Sequence, residues 1–302
     1  MLQDFTQLLS TYESRHENSL RVLSLLGFDH IGGINTILGG LASGSVIVIP
    51  ESRAPEQVID VIKKHHVTVL PATPTFLNLL LLAASHRLPD LASLRLITYG
   101  TEPMPEALLA RLRKSLPAVR LIQTFGTSET GILKTESPDT NTNFLRINDP
   151  SVEWKIVNDE LWLRTSTQIR GYLNASNENF TSDGWFKTGD KVEVGPNDTI
   201  RILGRTGEII NVGGEKLMPT EVESVILSVP GVLDCRVFGE KNPLIGQTVV
   251  ADIVPQEGQN WETLRTLIRQ TCRQILSAYK VPTRLNLVTA ISTNRLKKQR
   301  IS

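Results

Sequence analysis

The chain has 302 residues, 40% apolar and 21% charged, with a net charge of +1, which excludes a disordered chain and a global field that would gather nucleic acid or anionic membrane. The length suits two domains, no apolar run approaches the ~20 residues of a membrane span, and the polar start Met1-Leu-Gln-Asp lacks the plan of a secretory signal. The two cysteines, Cys235 and Cys272, make neither a disulfide framework nor a metal set, so a reducing compartment, the cytoplasm, is expected.

Leu2, Phe5, Leu8, Leu9 and Tyr12 recur at spacings of three and four and predict an amphipathic helix over residues 1–20. Residues 21–27 read as a strand, followed by an apolar helix to Leu41. His30 stands at that strand-to-helix junction, where α/β sheets place ligands. Further strands are expected at 45–49, 67–70, 94–98 and 119–122. Helices are expected at 54–65, with Pro55 in the first turn, at 75–85 and at 105–115. Pro71-Ala-Thr-Pro74 reads as a turn. This alternation up to residue 131 argues for a parallel sheet covered by helices on both faces.

The pattern changes after residue 131. Short alternating runs at 152–157, 160–164, 191–194 and 200–203 predict a small antiparallel barrel or sandwich, punctuated by turn signals at Asn158-Asp159 and Gly195-Pro-Asn-Asp198. From 206 onward the pattern is α+β: helices at 219–227 and 261–276, strands at 234–238, 248–253 and 284–288.

Four segments carry candidate chemistry. The first, Gln123-Thr-Phe-Gly-Thr-Ser-Glu-Thr-Gly131, follows a predicted strand and sets a ring, three hydroxyls and a carboxylate on one turn, with Gly126 allowing the backbone to bend. The second, Tyr99-Gly-Thr-Glu-Pro103, ends the strand at 94–98; Thr101 or Glu102 would also serve there as a helix cap. The third is Gly184-Trp-Phe-Lys-Thr-Gly-Asp190, read as a turn whose Asp190 offers two acceptor oxygens, as a vicinal diol requires. The fourth, Leu203-Gly-Arg-Thr-Gly-Glu-Ile-Ile-Asn-Val-Gly-Gly-Glu-Lys-Leu-Met-Pro-Thr-Glu-Val-Glu223, reads alone as a hairpin with a glycine turn. Near the C-terminus lies Thr293-Asn-Arg-Leu-Lys-Lys-Gln-Arg300, a basic, solvated tail on composition alone.

Taken in order, these segments resemble the acyl-adenylate-forming superfamily of acyl-CoA synthetases, peptide-synthetase adenylation domains and luciferases. The first resembles its Tyr-Gly-x-Thr-Glu signature, with Phe125 and Ser128 in place of Tyr and Thr. The last resembles Thr-x-x-Gly-Lys-x-x-Arg, with Leu296 in place of Gly. The resemblance implies a fold in three parts: an α/β adenylate-binding portion at 1–131 (an incomplete large domain built on a parallel sheet layered with helices), a small antiparallel β-barrel at 132–204, and a small, mobile α+β domain at 205–302.

It also implies roles. ATP or AMP would be held by Thr101, Glu102, Pro103, Phe125, Gly126, Thr127, Ser128, Asp190 and Arg205, with Asp190 on the ribose hydroxyls. Glu129 would hold Mg2+. His30 and Gly126 would border the acyl pocket. Glu208 would act as hinge, and Gly213 and Gly214 would form the loop for the thiol step. Lys297 would bridge carboxylate and α-phosphate, with Glu129 and Arg205 as its catalytic partners. The adjacent Lys298 leaves a one-residue ambiguity.

The superfamily's glycine- and hydroxyl-rich phosphate loop has no counterpart in the chain. The expectation is therefore a split acid–thiol ligase that activates a carboxylic acid with ATP and passes it to CoA or a carrier-protein thiol. A second polypeptide carrying the missing third, or another copy of the chain, would be its partner. The alternative is a non-catalytic AMP- or acyl-binding protein. Nucleic acid and a membrane span are not expected.

Overall fold

The computed structural model describes residues 20–139, 141–294 and 296–300. The amphipathic helix expected over residues 1–20 lies outside these, but for Leu20. The chain divides into two compact units: one reaches Thr101 and resumes at Leu112–Ile202, and the other comprises Glu102–Arg111 and the chain from Leu203 onward.

The first unit holds a five-stranded parallel sheet in the order β2-β1-β3-β4-β5: β1 Arg21–Leu23, β2 Val46–Val48, β3 Val69–Ala72, β4 Leu96–Tyr99 and β5 Arg120–Gln123. Its strands are short and apolar, as strands covered on both faces must be. One face packs Leu20, Val22, Val69, Leu96 and Ile122. Helices α1 (Ile31–Ala42), α2 (Pro55–His65) and α3 (Pro74–Ala83) follow successive strands, and α4 (Glu106–Ser115) straddles the division between the units. The turn expected at Pro71–Pro74 is instead the end of β3. Pro71 pairs with Thr98 of β4, and β1 makes its rung with β3 at Val69, so the missing Pro71 N–H falls past that ladder. The turn collapses to Thr73, whose hydroxyl accepts from Phe76 N at 3.0 Å and caps α3.

Beyond β5 come a hairpin of β6 (Phe125–Thr127) and β7 (Gly131–Leu133), then a six-stranded sheet. Its order is β10-β11-β12-β13-β9-β8, from β8 Thr135–Glu136, β9 Phe144–Ile147, β10 Val152–Val157, β11 Glu160–Thr165, β12 Phe186–Val194 and β13 Ile200–Arg205. Leu133, Leu145, Leu161, Leu163, Val192 and Ile200 share one core, so residues far apart in the strand order meet and the sheet is curled.

In the second unit β14 (Ile210–Val212) and β15 (Glu215–Leu217) form a hairpin beside the long pair β16 (Val232–Asn242) and β17 (Gly246–Pro255), with β18 (Arg284–Leu287) parallel to β17. Helices α5 (Pro219–Leu227) and α6 (Trp261–Ile275) supply Val222, Ile226, Leu264 and Ile268 to its core. Cys235 and Cys272 lie buried there. The last described segment is a hairpin of β19 (Thr293–Asn294) and β20 (Lys297–Lys298), where composition alone suggests a solvated tail. No helix among the described residues is long and apolar enough to cross a membrane.

Candidate active site

The carboxyl ends of β3, β4 and β5 open on a cavity of about 80 Å³, at the position where open parallel sheets bind ligands. Its lining brings together His30, Thr101, Phe125 and Gly126, with Thr98 and Thr124 between them. His30 is also the N-cap of α1. Its Nδ1 accepts from Gly32 N at 3.2 Å, which in a neutral ring leaves the proton on Nε2. Thr101 is held at φ 72°, a left-handed conformation that a β-branched residue rarely adopts.

The segment from Phe125 to Gly131 is a β-hairpin, and Gly126 sits in its first strand rather than at a turn. A Cβ on Gly126 would fall 2.5 Å from the carbonyl oxygen of Gly131 and 2.6 Å from Ile132 Cα. The glycine is required by close approach of two backbones; the bend itself lies at Ser128–Thr130 and is closed by Gly131 at φ 83°. Thr127 is buried, and its hydroxyl accepts from Glu129 N at 3.2 Å and Thr130 N at 3.1 Å, so it organises the tip. Ser128 is exposed.

Glu129 Oε1 accepts from the Tyr172 hydroxyl at 2.6 Å. The segment carrying Tyr172 braces the hairpin twice more: Ile169 N donates to the Glu129 carbonyl at 2.8 Å, and the Thr167 hydroxyl to the Thr130 carbonyl at 3.1 Å. Sequence reasoning does not find this brace. Residues 167–172 show neither period, and their partners lie about forty residues away.

Asp190 is in mid-strand rather than in a turn. β12 extends back to Phe186, and its buried positions Phe186, Thr188, Asp190 and Val192 alternate onto the inner face of the curled sheet. The Thr188 hydroxyl accepts from Asp190 N at 3.0 Å and donates to the Leu161 carbonyl at 2.7 Å. Glu129 and Asp190 are not among the residues lining the cavity.

The second unit carries the remaining candidates. Glu102 and Pro103 belong to it, while Thr101 belongs to the first, so the division falls within that motif. Arg205 is exposed at the end of β13. Gly213 and Gly214, at φ 62° and 96°, form the exposed two-residue turn of the β14–β15 hairpin, the conformation such turns demand. Glu208 Oε1 lies 3.7 Å from Arg300 Nη1.

Glu223, fully buried, takes a two-pronged pair from Arg300, at 3.0 Å from Nε and 2.9 Å from Nη2. It also accepts from Val237 N at 3.0 Å. Burial opposes ionisation of Glu223, but the charges of Arg300 and Lys298 outweigh it and hold the carboxyl below its ordinary range. Lys298 donates to Asp234 Oδ1 at 2.8 Å and to the Cys235 carbonyl, with 5% of its side chain exposed. Lys297 is half-buried and points to the opposite side of β20. Leu296, just before it, sits at φ 62°.

A family profile described as AMP-binding enzyme matches residues 2–173, and that of the AMP-binding enzyme C-terminal domain matches residues 221–298. The chain belongs to the AMP-binding enzyme family. Among curated relatives, it is 30% identical to 4-coumarate–CoA ligase 3 of Oryza sativa subsp. japonica, over 78% of this chain and 47% of that protein. It is 32% identical to triostin synthetase I of Streptomyces triostinicus, over 82% of this chain and 50% of that protein. In three dimensions it matches the amide bond synthetase McbA of Marinactinospora thermotolerans, with a TM-score of 0.78 and 26% identity over 98% of this chain and 64% of that one. The chain thus spans about half the length of these curated relatives. The AMP-binding family match covers the cavity and the Glu129 hairpin, and the C-terminal match covers Glu223 and both candidate lysines. The α/β architecture implied by the resemblance is that of this family.

Proposed function

We propose that this chain takes part in ATP-dependent activation of a carboxylic acid, followed by transfer of the acyl group to a thiol of CoA or a carrier protein. The observation that carries the reading is the cavity at the carboxyl ends of β3–β5, bordered by His30, Phe125 and Gly126, in a chain of the AMP-binding enzyme family. In the first step a carboxylate oxygen bonds to the α-phosphorus as the bond to the β-phosphate breaks and pyrophosphate leaves. In the second, the thiol sulfur bonds to the acyl carbon, AMP leaves and the thiol proton passes to solvent.

On this reading Phe125 and the turn at Thr101–Pro103 seat the adenine, Ser128 and Thr127 contact the nucleotide, and Asp190 accepts from the ribose diol. Lys297 is a point charge for the oxygens that gain charge at phosphorus, and Arg205 supports nucleotide binding. Glu208 serves as the hinge, and Gly213 and Gly214 face the thiol. Glu129 offers one carboxylate, and no group of three or more His, Cys, Asp or Glu side chains gathers for a metal among the described residues. Such a donor set fits Mg2+ held largely by substrate phosphates, for which it would supply charge neutralisation. The three-part division at 131 and 204 belongs to the same reading.

The phosphate cradle lies outside these 302 residues in this proposal, supplied by a polypeptide that carries it. The test is acid-dependent ATP–pyrophosphate exchange, across a panel of carboxylic acids, by the chain alone and mixed with a polypeptide carrying the phosphate loop. Exchange in the mixture only, abolished by Lys297→Ala, is the expected result. Exchange by the chain alone overturns the split arrangement. AMP binding without exchange in either favours a second reading, a non-catalytic AMP- or acyl-binding protein. Left-handed Leu296, where the superfamily pattern has glycine, speaks for that second reading.

A further inference from the structure

Lys298 and Arg300 alternate with Lys297 and Gln299 along one extended segment, and the first two are buried while Gln299 is exposed and Lys297 half-buried. Each inward cation meets a different buried carboxylate: Lys298 with Asp234 at 2.8 Å, Arg300 with Glu223 at 2.9 Å. The carboxylates are themselves fixed. Asp234 Oδ1 accepts from Cys235 N at 2.8 Å and Glu223 Oε1 from Val237 N at 3.0 Å, both amides on β16. Arg236, between them, donates to the Gln299 carbonyl at 2.9 Å. Two successive contacts therefore tie residues 298 and 299 to β16, and a third ties Arg300 to Glu223 of α5, itself bonded to that strand.

Buried charge is costly unless paired and hydrogen-bonded, so a solvated basic tail would not adopt this arrangement without compensation. Gln299 N also donates to the Ser292 carbonyl at 3.2 Å, closing the hairpin across Lys297. Lys298 is engaged by Asp234 and the Cys235 carbonyl.

We propose that Lys298 and Asp234 are positioning residues, whose buried pair pins β20 to β16 so that Lys297 is presented from a fixed strand. The proposal rests on the reading of Lys297 as the reacting lysine. Its structural half can be measured without activity.

The experiment uses the full chain, in the mixture that supports exchange, with Lys298→Met, Asp234→Asn and the double variant Asp234→Leu/Lys298→Met. Hydrogen exchange by mass spectrometry reads peptides covering 293–300, and pyrophosphate exchange reads kcat and the KM for acid. Lys298→Met is expected to speed amide exchange in that segment ~10-fold and to lower kcat ~10-fold, with KM within about threefold, as for a group that acts through another. Because it removes both charges of the pair, the double variant is expected to restore most of both. Unchanged amide exchange in Lys298→Met, or a loose segment with full kcat, overturns the proposal. Should Lys298→Met fail to fold, Asp234→Asn and the double variant carry the same two readouts. Should Lys297→Ala retain activity, the lysine assignment fails, and amide exchange still decides whether the pair pins the strand.

Discussion

Tyr172 donates its hydroxyl to Glu129 at 2.6 Å across 43 positions of sequence, with its ring edge against Phe180 at 5.5 Å between centroids. A carboxylate held this way keeps one oxygen oriented and offers the other. Tyr172→Phe is therefore expected to raise the Mg2+ concentration for half-maximal pyrophosphate exchange by roughly tenfold, the usual scale for a residue that orients a metal ligand. A Mg2+ titration of the variant checks it; an unchanged midpoint removes Glu129 from metal binding.

Gly126→Ala places a methyl against backbone atoms on β7. Backbone cannot rotate aside, so the hairpin must open. A loss of about 2 kcal/mol or more is expected, together with loss of adenylation, in line with overpacked sites that cannot relax. Urea unfolding followed by the tryptophans of the adjoining curled sheet reads the first, and pyrophosphate exchange the second.

Thr101→Gly runs the other way. Thr101 is exposed and left-handed, so its side chain contributes strain and little burial. Relief of roughly 1 kcal/mol is expected from the steric cost of the left-handed region, less the added freedom of glycine in the unfolded chain. The urea midpoint of the variant should rise or hold; a fall would mean that the hydroxyl makes a contact worth more than the strain.

The Glu223 carboxyl is held below its ordinary value. A carboxylate of depressed pKa gives stability that is present above the unfolded value of about 4.5 and is lost as pH falls through the folded value. The second unit should therefore lose stability in acid, and Glu223→Gln should flatten that limb. At neutral pH the same substitution should cost about 3 kcal/mol, because buried Arg300 loses its two-pronged charge partner and keeps Glu208 at 3.7 Å. Unfolding midpoints from pH 3 to pH 7, followed by Trp261, test both.

Elements whose physics is local are legible in the sequence. Helix α5 runs Pro219–Leu227 as its proline start and apolar spacing require, and β10 is the run Val152–Val157. Elements defined by distant partners are not. β9 at Phe144–Ile147 is too short and mixed to stand out, and it is a strand because β13 and β8 flank it. Asp190 reads as a turn residue because Thr-Gly-Asp is turn-like in isolation, yet β11 supplies the ladder that extends it. Lys298 reads as solvated because nothing near it in sequence announces Asp234, 64 positions earlier.

The burial of both cysteines has a practical side. Burial pushes the Cys272 thiol up to about 11 and Cys235 well above its ordinary value, so neither is appreciably ionised at neutral pH. The thiolate is the species that attacks disulfides and electrophiles, and a buried thiol is also out of reach. The folded chain should therefore stay silent toward a chromogenic disulfide such as Ellman's reagent. Consumption of an added thiol could then be followed optically against a flat protein background, and any colour from the chain itself would report unfolding.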